Sequence, residues 1–444
     1  MMVALRKIAT SLLAIVLVAF AARLTFAWYQ THQIPAQVRH TVPFQTETGH
    51  IAYSVASGKG FSSPYERDSG PTAILPPVYP LLVAALFKIF GIYSIGAYFA
   101  AIFLNIIFST ATSVPIYYAA KRIASVQIAS LAAWFWASFI TAIRMPTEWI
   151  WDTSLSALLV ATVVWATLEL PTSRRWRDWS AYGLLWGLVL MTNPAPVSVF
   201  PFLLAWLVYR RTKRDKQHSR PTSELAKPLL AFALTLLCCL PWTVRNYVVF
   251  HRFIPLRSGL PFELYVGNNE NYDERRSGLT PTITFEREVL RYLKMGETSF
   301  MDEEKRKAFA FISTHPRVEL TLFAKRFVAF WIGTAQPIQA FLENDSLLLR
   351  AILIGNFLTA IGAAFGIAIF FIRRNPYAFP LATFPLIFPI IYYVTHTSLR
   401  YRHPLDPVIL LLTAIALWHS RSWLCAAPCP SVPTRRQTRR RISN

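Results

Sequence analysis

An all-α polytopic membrane protein is what three features of this sequence predict. Of its 444 residues, 54% are hydrophobic and only 15% charged, with a mean hydropathy of +0.36, too apolar for a soluble globule. The apolar residues gather in runs of helical length separated by polar links. The 45 Lys and Arg outnumber the 23 Asp and Glu, giving a net charge of +22, yet the basic residues sit in short clusters between apolar runs. That distribution is the positive-inside pattern of a membrane protein rather than the basic face of a nucleic-acid binder, so no nucleic-acid partner is expected.

Taken in order, the runs cover approximately Ile8–Trp28, Ile74–Phe90, Ala97–Tyr118, Ile128–Ile143, Ile150–Leu168, Ala181–Thr192, Val197–Tyr209, Leu229–Tyr247, Thr321–Thr334, Ile352–Ile372, Phe379–Val394 and Val408–Trp418. A bilayer core takes about 20 helical residues, so the shorter runs need tilt, polar extension or an interfacial position. Charge then sets the topology. Lys121/Arg122, Arg174/Arg175/Arg177, Arg210–Arg220 with Arg214 in it, Arg373/Arg374 and Arg435–Arg441 all fall on the cytoplasmic side only if Ile74–Phe90 and Thr321–Thr334 do not cross.

On that assignment about ten helices span, both termini are cytoplasmic, and Ile74–Phe90 lies along the outer face as a juxtamembrane helix opened by Pro76 and Pro77. The expectation is a multi-pass protein of the inner (plasma) membrane. Residues 1–420 form one transmembrane domain, with an outer loop at 29–96 and an outer helical loop at 250–350 that contains Arg276; residues 421–444 form a basic cytoplasmic tail. The first run reads as a retained anchor, because it is long for a signal peptide and the Leu24–Ala27 end lacks a small-x-small cleavage pattern. Cys238 and Cys239 lie in an apolar run and Cys425 and Cys429 in the tail, with no histidine cluster beside either pair, so neither a zinc site nor a disulfide framework is expected.

The candidate chemistry sits in the outer segments. Thr41–Leu81 interrupts the apolar pattern with Glu47, a Gly58-Lys59-Gly60 turn and the breaker Pro76-Pro77-Val78-Tyr79-Pro80. Glu47 stands where a helix begins and is either an N-terminal cap or a base. The glycine-lysine turn lacks the strand and spacing of a phosphate-binding P-loop. Glu148 and Asp152, at i and i+4 and flanked by tryptophans, share one face of a continuous helix and read as further acids or as interface anchors. Pro241-Trp242-Thr243-Val244-Arg245-Asn246 ends a run on a cation, and Arg257 follows. Arg400-Tyr401-Arg402-His403-Pro404 places two guanidiniums in one turn. Arginines on the outer side run against the positive-inside bias, and arginine is the residue for bidentate phosphate contact. Phe285–Thr314 carries the charge spacing of a solvated helical hairpin.

These motifs together resemble the integral-membrane GT-C glycosyltransferases of the dolichyl-phosphate-mannose protein mannosyltransferase and aminoarabinose transferase type. The resemblance rests on the first outer acid, the Gly-x-Gly-Phe turn at 58–61, the stretch PPVYPLLVAALFKIFG, the Thr147-Glu148 pair, the Pro-Trp-x-x-Arg-Asn segment and the terminal Arg-Tyr-Arg-x-Pro. It runs from Ile8 to about Trp418. In that family the first outer acid is usually Asp, often paired; here it is Glu47 between Thr46 and Thr48. The resemblance implies a glycosyltransferase that moves a sugar from a polyprenyl-phosphate donor to a lipid, polysaccharide or protein acceptor outside the cytoplasm. Glu47, with Glu148 and Asp152, would supply the catalytic carboxylates. Lys59, Arg245, Arg257, Arg400 and Arg402 would hold the donor phosphate, and no cofactor is implied. The alternative is a transporter or lipid-linked sugar flippase, which should show discontinuous helices in paired halves and ionisable groups at mid-membrane.

Overall fold

The computed structural model describes residues 10–33, 41–148, 150–216, 225–269, 285–334, 338, 341 and 346–425. Arg276, Cys429 and the basic cluster at Arg435–Arg441 lie outside them. Among the described residues the architecture is helical, with one isolated bridge between Ser62 and Pro71.

Among the described residues, five helical stretches are long and apolar enough to cross a bilayer: α1 (Leu12–Gln33), α4 (Ile95–Ala111) continuing into α5 (Ser113–Ile123), α8 (Thr153–Glu169), α11 (Ala226–Phe250) and α16 (Leu347–Ile372). A sixth is the pair α6 (Val126–Ser138) and α7 (Ile140–Glu148), bent by 45°. The expected ten is reached only if α9 (Trp176–Thr192), α10 (Phe200–Lys216), the short α17 and α18 (Ala378–Ile387, Ile390–Val394) and α20 (Asp406–Cys425) also cross. The stretch expected along the outer face becomes α3 (Val78–Phe90), which starts directly after Pro77 because proline fits a helix start and not its interior.

The α6–α7 bend shows how charge is built into the apolar frame. Phe139 turns extended after α6 and leaves the last carbonyls of that helix without helical partners. Arg23 of α1, wholly buried, fills the gap: it donates to Trp136 O (3.1 Å), Ala137 O (3.4 Å), Ala19 O (3.0 Å) and Ser109 Oγ (2.7 Å), joining three helices. An open carbonyl in lipid costs several kcal/mol, so a buried guanidinium that satisfies several at once is stabilising. Elsewhere close helix approach does the work. A Cβ at Gly366 of α16 would lie 2.2 Å from Leu412 O of α20, so only glycine admits that crossing.

The segments expected on the outer side form a layer with its own small core: Ile51, Phe61, Tyr65, Ile74, Tyr292, Phe300 and Met301. The layer contains α2 (Glu47–Ala56), α12 (Leu260–Gly267), and the hairpin of α13 (Phe285–Met295) and α14 (Glu297–Thr314), followed by α15 (Pro316–Ile332). Buried Glu297 ties it together by accepting from Thr72 Oγ1 (2.5 Å), Ala73 N (2.8 Å), Ser258 Oγ (2.6 Å) and Tyr292 OH (2.7 Å). Four donors around one carboxylate satisfy its lone pairs and make its burial tolerable.

The two ends of α8 meet different groups. Asp152 caps the start of α8, while at its far end Arg122 pairs with Glu169 at 3.2 Å and Arg211 Nη1 donates to Ser173 O at 2.9 Å. Seventeen helical residues separate these ends, roughly 25 Å at 1.5 Å per residue.

Candidate active site

The site forms where this layer meets the start of α8 and the segment 395–402, which contains α19 (Leu399–Arg402). Glu47 is the first residue of α2; the capping position belongs to Thr46, whose side chain makes no cap hydrogen bond. Glu47 is half-buried and makes no ion pair with a described residue. Burial raises its carboxyl above the usual range, against its own backbone N–H and the positive field of Arg400 and, more weakly, Arg257.

Arg400 anchors the opposite wall. Its guanidinium lies 3.8 Å from the ring centre of Trp151, and its Nη2 donates to Tyr401 OH at 3.0 Å. Tyr401 OH lies 3.0 Å from His396 Nε2, and His396 Nδ1 lies 3.3 Å from Glu263 Oε2. Glu263 Oε1 accepts from Arg257 Nη2 at 3.0 Å. A polar chain therefore runs from Arg400 through Tyr401, His396 and Glu263 to Arg257, in which Nδ1 of His396 donates to the carboxylate and Nε2 accepts from the phenol. Burial alone would raise Glu263, but His396, Arg257 and Arg400 together hold it below its ordinary value. Burial pushes His396 down, against the pull of Glu263.

Glu148 and Asp152 reach this region by a different route from the one their spacing suggested. They do not share a helix face: α7 ends at Glu148 and α8 begins at Thr153. Pro146, inside the last turn of α7, has no N–H to give to Ala142 O, which accepts from Ser109 Oγ at 3.1 Å instead. Asp152 accepts from Ser156 Oγ (2.7 Å) and Asn193 Nδ2 (3.3 Å), and Glu148 pairs with Arg144 at 2.7 Å; the charge of Arg400 acts on both.

Three of the expected phosphate ligands are committed elsewhere. Arg402 is buried, with Nε on Asp406 (3.0 Å), Nη1 on Trp331 O (2.7 Å) and Nη2 on Thr359 Oγ1 (2.7 Å), so it pins α15, α16 and α20. Arg245 donates to Phe61 O (2.8 Å) and Thr72 O (2.7 Å) and stacks on Trp242, fastening the loop at 57–77 to the end of α11. Lys59 is exposed and faces Asp68 across its turn at 3.7 Å. In each case the cation meets a nearby carbonyl or acid, which residue type alone does not reveal. Conversely, Glu263, His396 and Tyr401 belong to the polar chain without standing out in the sequence; their signal is position, since each is polar and lies in a segment expected on the outer side. Among the described residues no three His, Cys, Asp or Glu side chains are grouped as for a metal ion.

Residues 75–244 match the family model described as dolichyl-phosphate-mannose-protein mannosyltransferase. A crystal structure of the Archaeoglobus fulgidus oligosaccharyltransferase in complex with Zn and sulfate superposes with a TM-score of 0.53 at 14% identity, over 93% of this chain and 49% of that one. The chain has a GT-C-type fold. The archaeal oligosaccharyltransferase AglB from the same organism, in complex with an inhibitory peptide and a dolichol-phosphate, gives a TM-score of 0.51 at 13% identity, over 95% of this chain and 52% of that one. The A. fulgidus enzyme tethered to an acceptor peptide matches with a TM-score of 0.51 at 15% identity, over 93% and 50%. This GT-C-type chain thus spans about half the length of the solved structures it resembles. No curated protein matches it.

Proposed function

We propose that this chain is a membrane glycosyltransferase that moves a sugar from a polyprenyl-phosphate donor to an acceptor hydroxyl or amide on the outer side of the plasma membrane. The observation that carries the reading is the facing of Glu47, a carboxylate without an ion pair among the described residues, by Arg400 and Arg257 in one partly buried site. The mannosyltransferase family match over residues 75–244 and the GT-C-type fold support the reaction class. A dolichol-phosphate in the AglB complex fits a lipid-phosphate donor of the same chemistry.

The chemistry follows from the geometry. The acceptor gives its proton to Glu47 as its oxygen or nitrogen forms a bond to the anomeric carbon. The bond from that carbon to the phosphate oxygen breaks, and the electron pair leaves with the polyprenyl phosphate. Arg400 and Arg257 stabilise the charge that grows there; one such donor is worth on the order of 3 kcal/mol of barrier. Asp152 and Glu148 stand on the Trp151 side of Arg400, where sugar or acceptor hydroxyls could donate to them. A donor with an isoprenoid tail explains a site at the end of apolar helices.

Topology is part of the proposal. The Arg122 and Arg211 end of the bundle faces the cytoplasm by the positive-inside rule, which sets the Glu47 end outside and the chain termini inside. The deciding experiment incubates purified protein in lipid with a panel of polyprenyl-phosphate sugars and candidate acceptors. Release of polyprenyl phosphate together with a glycosylated acceptor supports the reading; movement of intact donor between leaflets without release would replace it with transport.

A further inference from the structure

Glu263 touches Arg257 directly and reaches Arg400 through His396 and Tyr401. The short helix that carries it, α12, has only eight residues and could not hold that place by itself. The hold comes from α15. Arg326, 1% exposed, donates Nη2 to Gly267 O (2.5 Å) and Asn268 Oδ1 (3.0 Å), and Nη1 to Tyr393 O (3.1 Å) and Val394 O (3.0 Å). Asn268 Nδ2 in turn donates to Val394 O at 2.9 Å. One guanidinium therefore closes the carbonyl ends of α12 and α18 together. Glu263 lies one turn before the first end and His396 two residues after the second.

Backbone contact completes the joint. A Cβ at Gly267 would fall 1.8 Å from Thr395 O, so any side chain there would drive α12 away from the segment that carries His396.

We propose that Glu263 is a positioning residue for the two arginines that receive the donor's phosphate, and that Arg326 with Gly267 forms the anchor that sets its place. The proposal rests on the glycosyltransfer reading above. Glu263 fixes one fork by direct contact, and it fixes the other by holding the His396 tautomer whose Nε2 takes the Tyr401 hydroxyl. A planar guanidinium binds phosphate well only when its fork is aimed, so a fixed partner on its far side matters more than one additional negative charge nearby.

The test measures binding of a polyprenyl monophosphate to the purified full chain in lipid nanodiscs. Affinity is referred to the folded fraction for wild type, Glu263→Gln, Glu263→Asp, Gly267→Ala and Arg400→Ala. Glu263→Gln should weaken binding about ten- to a hundredfold, the usual weight of a charge-assisted contact, and Glu263→Asp should recover part of that loss. Gly267→Ala, which leaves every charge in place, should weaken binding in the same direction. If Glu263→Gln binds as wild type or more tightly while Arg400→Ala loses binding, the positioning role is wrong and the functional reading stands. Equal loss in the Gln and Asp variants would make Glu263 a fold residue and overturn the proposal. If Arg400→Ala also binds as wild type, the phosphate site lies elsewhere and both readings fall.

Discussion

The guanidinium of Arg400 is stacked on Trp151, 3.8 Å from the ring centre, with Tyr401 at its other side. Trp151 sits in the non-helical break between α7 and α8, one residue before Asp152. The break that separates Glu148 from Asp152 thus makes the seat for the arginine. A partly desolvated cation–π contact is worth about 1–2 kcal/mol, so Trp151→Leu should raise the donor KM about tenfold with a smaller change in kcat. Steady-state kinetics in the donor concentration would check it; an unchanged KM would mean that the stack does not place Arg400.

Glu47→Gln separates a base from a residue that merely begins a helix. As a base, its loss should lower turnover per folded molecule by about two to four orders of magnitude with donor binding retained. As a first-turn helix charge it would be worth at most about 1 kcal/mol of stability and leave turnover intact. Glu47→Asp should keep measurable activity. The measurement is donor consumption normalised to monodisperse protein.

The same carboxyl governs the acid limb of the pH profile. Burial favours its neutral form, so Glu47 takes up a proton at a higher pH than an ordinary carboxylate. A base must be ionised, and kcat/KM should therefore begin to fall on acidification while exposed carboxylates are still charged. A limb at the ordinary carboxylate position would place the base on a more solvated group.

Arg402 should behave as a pin. Arg402→Ala leaves Asp406 buried without its guanidinium, a loss of about 3–5 kcal/mol, and should lower the thermal midpoint strongly. The surviving folded fraction should keep a donor KM close to wild type. A raised KM without destabilisation would return Arg402 to the phosphate site.

Topology can be read with single cysteines in a background lacking the four native ones. Ser57→Cys, exposed at the end of α2, should react with an impermeant maleimide on intact cells, and Arg174→Cys, exposed before α9, only after permeabilisation. The reverse pattern would turn the proposed site to the cytoplasm.

The sequence by itself determined the helical class, the start of α3 behind Pro77, and the placing of Glu47, Asp152, Arg257 and Arg400 in polar segments between the apolar runs. These are local properties: apolar length, helix-breaking residues and charge are written along the chain and need no partner to be read. Which arginine faces the site was decided by tertiary structure alone. Arg400 and Arg402 lie in the same turn, yet one stacks on Trp151 and the other is ion-paired with Asp406 and donates to Trp331 and Thr359. Likewise, Glu263 gains its place from Arg326 and His396, far along the chain. A guanidinium's role depends on which carbonyls and carboxylates the packed helices leave open, and that is settled only when helices distant in sequence close on one another.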